Sequence, residues 1–228
     1  MKVNHVHSFS LSIPEMKNKQ RELQQKIEIA PYHGTPTFVA GVDVAYHQQM
    51  GIAVIIVMDF KSMQVVEQVW QIDQVTQEYI PGLLAFRELP LILTAWKKVT
   101  IEPEIVFFDG NGILHPNRVG IATHASFFLE KPTVGIAKTP FIGHYLEPDP
   151  QRGSYTFIYE QDEMIGASLR TQPNVKPVYI SVGNLIDLDS SIHLSMQLVG
   201  KTSRIPEITR QADILTRKIR REYLSHPN

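Results

Sequence analysis

Four ionisable residues stand where the surrounding sequence predicts burial. Asp43 lies inside Thr37-Phe38-Val39-Ala40-Gly41-Val42-Asp43-Val44-Ala45-Tyr46, an apolar, partly β-branched run that reads as a strand buried on at least one face. Asp109 closes Ile105-Val106-Phe107-Phe108-Asp109, a short apolar strand that runs into Gly110-Asn111-Gly112. Glu88 shares a helical face with Leu84, Leu91 and Ala95. Lys138 ends the apolar strand Thr133-Val134-Gly135-Ile136-Ala137. An ionised carboxylate in such surroundings is costly unless a basic partner, several backbone donors or a metal ion compensates it. If the strand ending at Asp109 runs beside and parallel to the strand holding Asp43, the two carboxylates become neighbours. They then repel each other unless a cation sits between them. Three inward carboxylates in a chain without cysteine suit a hard, oxygen-seeking cation, Mg²⁺ or Mn²⁺. Such an ion polarises a phosphoryl oxygen and generates a nucleophilic water, and Lys138 would offset phosphate charge beside it.

Each residue also has an ordinary structural role open to it. Asp43 fits a strand-end Asp closing a hairpin, Asp109 a cap on its own Asp-Gly turn, and Lys138 a side chain snorkelling from a strand end. Pairing of Glu88 with Arg87 is disfavoured, because adjacent helical positions point about 100° apart. His115-Pro116 follows the glycine turn; His124, with Ile121 and Phe128, reads as a hydrogen-bonded core histidine rather than a direct ligand. The turn Tyr79-Ile80-Pro81-Gly82 fits either a packed helix start or a rigid wedge between stacked bases. Asp213 flanks the stripe Ile208, Ala212, Leu215 and Ile219, where spacing favours a solvated acid. Arg204, Arg210, Arg217, Lys218, Arg220 and Arg221 form the one basic concentration in the chain, suited to a phosphate backbone or to an ordinary charged face.

The elements that must position these residues follow from periodicity. Ser12-Ile13-Pro14-Glu15 is a helix start, and the helix to about Ile29 carries a thin apolar stripe of Met16, Leu23 and Ile27, as a surface helix does. Strands over 37–46, 51–60 and 64–72 with short polar links form an antiparallel meander, the middle one interior to the sheet. A helix follows over 82–98, kinked or split at Pro90. Then come the strand 105–109, a helix 119–130 and the strand 133–138, and a Pro- and Gly-rich loop over 139–153. Strands at 154–159, 164–170 and 178–182, a helix from a cap at Asp189 to about Val199, and a last helix over 206–223 complete the chain. The order predicts an α/β fold, a mixed sheet with helices on its faces.

With 228 residues, 43% of them hydrophobic, the chain suits one globular domain over 1–228, with 1–36 as an N-terminal helical segment packed on it. The formal charge of −1 announces neither a nucleic acid nor a membrane, so a basic surface must be local. The absence of cysteine removes disulfides, Cys-based zinc and thiol nucleophiles, and fits a cytoplasmic protein. The start of the chain lacks the apolar core of a signal peptide, and the longest apolar run, Ile52 to Met58, is too short to span a bilayer.

Taken in order, the motifs resemble endonuclease V: Ala40-Gly41-Val42-Asp43-Val44-Ala45-Tyr46; Tyr79-Ile80-Pro81-Gly82-Leu83-Leu84-Ala85-Phe86-Arg87-Glu88; Asp109-Gly110-Asn111-Gly112 with His115-Pro116; Gly120-Ile121-Ala122-Thr123-His124; Gly135-Ile136-Ala137-Lys138; and Arg204-Ile205-Pro206-Glu207 leading to Arg210 and Asp213. The resemblance implies a ribonuclease-H-like fold and a monomeric, Mg²⁺-dependent endonuclease acting on deaminated DNA or inosine-containing RNA. It implies that Asp43 and Asp109 hold the ion with Glu88 close by, that Lys138 and His115 contact phosphate or the attacking water, and that Asp213 and His124 lie farther out. Tyr79 heads the wedge with Ile80 and Pro81, backbone groups around Gly82 and Gly112 accept the flipped base, and Arg118 and Arg204 contact the nucleic acid. Glu78 replaces the Pro common before the wedge Tyr, and Ser181-Val182-Gly183-Asn184 replaces Ser-Pro-Gly-His. Residues up to about 35 match the family pattern poorly.

Overall fold

The computed structural model describes residues 1–225. Eight strands form one sheet in the order β3-β2-β1-β4-β5-β8-β7-β6. The meander is β1 (Phe38–His47), β2 (Met50–Asp59) and β3 (Val65–Gln74). It is followed by β4 (Ile105–Asp109), β5 (Thr133–Ala137), β6 (Tyr155–Glu160), β7 (Glu163–Leu169) and β8 (Val178–Asn184). The strands β1, β4 and β5 are parallel, and every other pairing is antiparallel. Helix α1 is Ile13–Gln24, α2 Leu84–Trp96, α3 Ile121–Leu129, α4 Leu188–Gln197 and α5 Glu207–Ser225. The mixed sheet flanked by helices is thus the architecture that the alternation of periods predicted.

Strand pleating sorts the core into two layers. Ala40, Val42, Ile55 and Val57 face α2 and α3, packing on Leu89, Ile92, Trp96 and Phe128. Val39, Ile56 and Phe107 face the other way, towards Ile192 of α4 and Ile208, Ala212 and Ile219 of α5. At Gly41 the helix α5 comes so close that an added Cβ would lie 2.2 Å from the Ile208 carbonyl oxygen. Only glycine permits that crossing.

Several boundaries differ from the sequence expectation, each for a local reason. Helix α2 runs unbroken through Pro90, which is exposed, rather than splitting there. The cap of α4 is Asp187, not Asp189: its side chain accepts from the Ser190 N–H at 2.8 Å. Helix α1 begins where expected, with the Ser12 N–H donating to the Glu15 carboxylate at 2.7 Å, but ends at Gln24. It is not merely a surface helix, since Gln20 is completely buried together with Met16 and Leu23.

Candidate active site

The parallel register of β1 and β4 builds the site. Val39 pairs with Ile105 and Val42 with Phe108, so the next residues, Asp43 and Asp109, stand side by side where this pairing stops, midway along β1 and at the carboxyl end of β4. Both belong to the face covered by α5, because they alternate with Val42 and Phe108, which pack on the opposite side. Helix α5 supplies a third carboxylate there. One oxygen from each of Asp43, Asp109 and Asp213 can be chosen so that all lie within 4.8 Å of one another. Asp213 flanks the apolar stripe of α5, a spacing that predicts a solvated acid, yet it joins this group. The buried Thr216, one turn on, shows that this flank of α5 also faces β1: its hydroxyl donates to Asp43 Oδ2.

The three acids lie close enough for like charges to act on Asp43. Burial pushes the Asp43 carboxyl up to about 6; Asp109 and Asp213 add to the rise, and the Thr216 hydrogen bond opposes it. Lys138 Nζ stands 2.6 Å from Asp109 Oδ2. Burial works against the Lys138 cation, but Asp109 with the other two acids outweighs it, so the ammonium is held more tightly than usual. Asp213 pairs with Arg217 at 2.7 Å within α5, and the arginine is largely exposed. An i,i+4 pair in water is weak, so Asp213 can exchange this partner for a stronger charge. The donor set consists of hard carboxylate oxygens with three different backbone origins and fits Mg²⁺ or Mn²⁺.

Glu88 approaches from the other side of the sheet and is not in the three-carboxylate group. Its carboxylate accepts from the Tyr46 hydroxyl at 3.1 Å. Burial drives its pKa up to about 8, with Asp43 and Asp109 adding and the Tyr46 bond and Arg87 opposing. The Arg87 guanidinium sits 4.4 Å over the Tyr46 ring and donates to the Gln77 carbonyl, just before the wedge turn. The adjacent Arg87 thus pairs with the turn and the tyrosine, while Glu88 points inward as its helical face predicted.

Beside the acids lies a cavity of about 190 Å³, lined in part by Tyr79, Gly82, Asn111, His115, Gly120 and Phe141. Tyr79 is 64% exposed at its rim. Both ring nitrogens of His115 have partners within the protein. Its Nδ1 accepts from the Asn117 N–H at 3.1 Å, which leaves Nε2–H to donate to the Gly82 carbonyl at 3.1 Å. Burial, reinforced by Arg118, lowers its pKa to about 4, so this doubly bonded imidazole stays neutral. Gly112 sits behind the cavity rather than in its wall: its N–H donates to Ser181 Oγ and its carbonyl accepts from Gly120. An added Cβ there would lie 1.9 Å from the Val182 carbonyl oxygen, so residue 112 is a packing point for β8.

His124 is a core residue. His7 Nδ1–H donates to the Ser8 carbonyl, so His7 Nε2 accepts from His124 Nε2–H at 2.7 Å, between the rings of Phe86 and Phe128. Of the expected nucleic-acid contacts, Arg118 forms an ion pair with Glu163 at 2.7 Å and Arg204 donates to the Pro177 carbonyl. The departure at Asn184 is structural: its Oδ1 accepts from the Glu28 N–H at 2.7 Å, anchoring the chain after α1 to β8. Glu78 is exposed before the wedge.

Residues 21–214 match the family model Endonuclease V. The chain is 48% identical to endonuclease V of Petrotoga mobilis over 220 residues, covering 96% of this chain and 99% of the relative. The crystal structure of endonuclease V from Bacillus subtilis superposes with a TM-score of 0.95 at 42% identity, covering 99% of each chain. That of Ciona intestinalis endonuclease V, in complex with a 24mer DNA containing an inosine followed by a ribo-adenosine, gives a TM-score of 0.81 at 25% identity over 92% of this chain and 98% of the other. With its ribonuclease-H-like sheet and these relatives over nearly its whole length, the chain belongs to the endonuclease V family.

Proposed function

We propose that the protein is a metal-dependent DNA repair endonuclease. It hydrolyses a phosphodiester on the 3′ side of deoxyinosine and leaves 3′-hydroxyl and 5′-phosphate ends. The observation that carries this reading is the meeting of three carboxylates from β1, β4 and α5 beside both a lysine ammonium and a cavity capped by an exposed tyrosine. Asp43, Asp109 and Asp213 would hold Mg²⁺, with Mn²⁺ able to substitute. Once bound, the ion supplies the positive charge that polarises a phosphoryl oxygen and acidifies a water.

The protein's own groups do the rest. Lys138, beside Asp109 at the edge of the acid group, would neutralise a non-bridging phosphate oxygen. Glu88, oriented by Tyr46, borders the same point and exchanges a proton there. Tyr79, Ile80 and Pro81 fill the gap left by the extruded nucleotide, and the cavity accepts the base. A deaminated base pairs poorly and costs less to extrude than a well-paired one, which favours the lesion. The inosine-containing DNA bound by the Ciona relative supports this substrate. We further read residues 1–228 as one catalytic unit that acts as a monomer in the cytoplasm. None of the described helices is long and apolar enough to cross a membrane.

The test is an oligonucleotide with a single deoxyinosine, incubated with the protein and Mg²⁺. Cleavage on the 3′ side that disappears in Asp43→Ala is expected; no cleavage by the wild type removes the proposal. The ribo-adenosine beside the inosine in the Ciona complex favours a second reading, inosine-containing RNA as substrate at the same site. Matched DNA and RNA strands decide between the two, because discrimination rests on the 2′-hydroxyl.

A further inference from the structure

Gln20 is the one completely buried polar residue of α1, and all three of its recorded bonds go to the loops around the cavity. Its Nε2 donates to the Gly82 carbonyl at 2.7 Å and to the Val119 carbonyl at 3.2 Å. Its Oε1 accepts from Asn117 Nδ2 at 2.8 Å. Gly82 ends the wedge turn, and Val119 closes the loop that carries His115; both line the cavity. These two walls come from segments 37 residues apart, and α1 belongs to neither. The amide therefore joins them from behind. His115 makes the second link, donating to the same Gly82 carbonyl from the opposite loop.

We propose that Gln20 is a positioning residue that sets the spacing of the two cavity walls and thereby the preference for the deaminated base. The inference rests on the reading of the cavity as the base site. A primary amide is the side chain suited to this position: two N–H donors serve two carbonyls while the oxygen satisfies a third group, with no charge to bury. A methionine of similar length would leave the Val119 carbonyl and the Asn117 amide without partners in a closed space, and the Gly82 carbonyl with His115 alone. The walls would then relax towards water, and an open cavity no longer selects by shape. The acids sit on β1, β4 and α5, none of which Gln20 bonds, so metal binding is independent of it.

The experiment measures the affinity of the full chain for two duplexes that differ only in carrying inosine or adenine at one position. Ca²⁺, larger and geometrically looser, replaces Mg²⁺. In Gln20→Met the inosine preference is expected to fall about tenfold, as for the loss of one well-placed polar constraint. Affinity for the adenine duplex, and the rise in Tm produced by Mn²⁺, should stay at wild-type values. Asn117→Ala leaves both carbonyl bonds possible but frees the amide to turn over, and should give a smaller fall in the same direction; it decides the question if Gln20→Met does not fold. An unchanged preference, or equal losses on both duplexes, overturns the role of Gln20. A wild type without inosine preference overturns instead the base-site reading on which it rests.

Discussion

The acid cluster and the base cavity are neighbours built on opposite principles. The cluster is set by sheet register: two adjacent parallel strands deliver Asp43 and Asp109 to the same height, and a helix held at Gly41 adds Asp213. Its groups are charged and mutually repelling. The cavity is lined mainly by loops, with the first residues of α2 and α3, and the polar groups behind it are neutral and paired: His115 with Gly82 and Asn117, Gln20 with Gly82, Val119 and Asn117. The lesson is a division of labour. A rigid frame can hold groups in an unfavourable arrangement that a cation relieves, whereas a loop-built pocket keeps its shape only if every polar group behind it is satisfied.

If that contrast is right, changes in the cluster should strike turnover and changes in the cavity should strike selection. The largest effect is expected for Asp109→Asn: a loss on the order of 10³-fold in single-turnover cleavage of an inosine strand, with binding nearly unchanged. A parallel loss of binding would mean that the cluster also recognises the lesion. Lys138→Ala should follow, with roughly 10²-fold lower kcat and little change in KM. Equal losses in both would place the lysine in binding instead.

The two regions should also respond to pH in opposite directions. The folded pKa of His115 is lowered from the ordinary 6.5 to about 4. The unfolded chain therefore takes up a proton first as pH falls, and stability is lost between about pH 6.5 and pH 4. The linkage amounts to about 3 kcal/mol at its limit. Denaturant melts of wild type and His115→Gln at pH 7.5 and 4.5 check it: the variant should show the weaker acid dependence. The acids carry the reverse sign. Asp43 and Glu88 have folded values raised to about 6 and about 8, so their protonated forms favour the fold. Without a divalent ion, stability is lost as pH rises from about 4 through those values. Mn²⁺ should then raise Tm by several degrees more at pH 8 than at pH 5.5, the smallest of these effects. A rise independent of pH, or one retained in Asp43→Asn, would separate the ion from this cluster.

What the sequence revealed follows the same division. Asp43 and Asp109 were legible because each interrupts a strand of apolar residues, and a parallel pairing needs only one register to join them. Asp213 was not, because helical spacing sorted it with the solvated face; the inward polar residue next to it, Thr216, was the available signal. Glu88 was read correctly as inward, but the spacing could not say from which side of the sheet it would arrive. Gln20 left almost no trace. A glutamine in a polar helix reads as surface, and only the loops it meets, 62 and 99 residues later, give it a purpose. Asn184 marked a departure from the family pattern, yet its side chain secures the backbone at Glu28, remote in purpose from the acids.

The bare α-carbon at Gly41 acts as a spacer of zero thickness. Any side chain there would jack α5 away from β1 and lift Asp213 and Thr216 together, widening the gap between carboxylates that the pairing of β1 and β4 leaves unaltered. The reach of the third acid is thus tuned at a position that carries no functional group, by the thickness of what is missing.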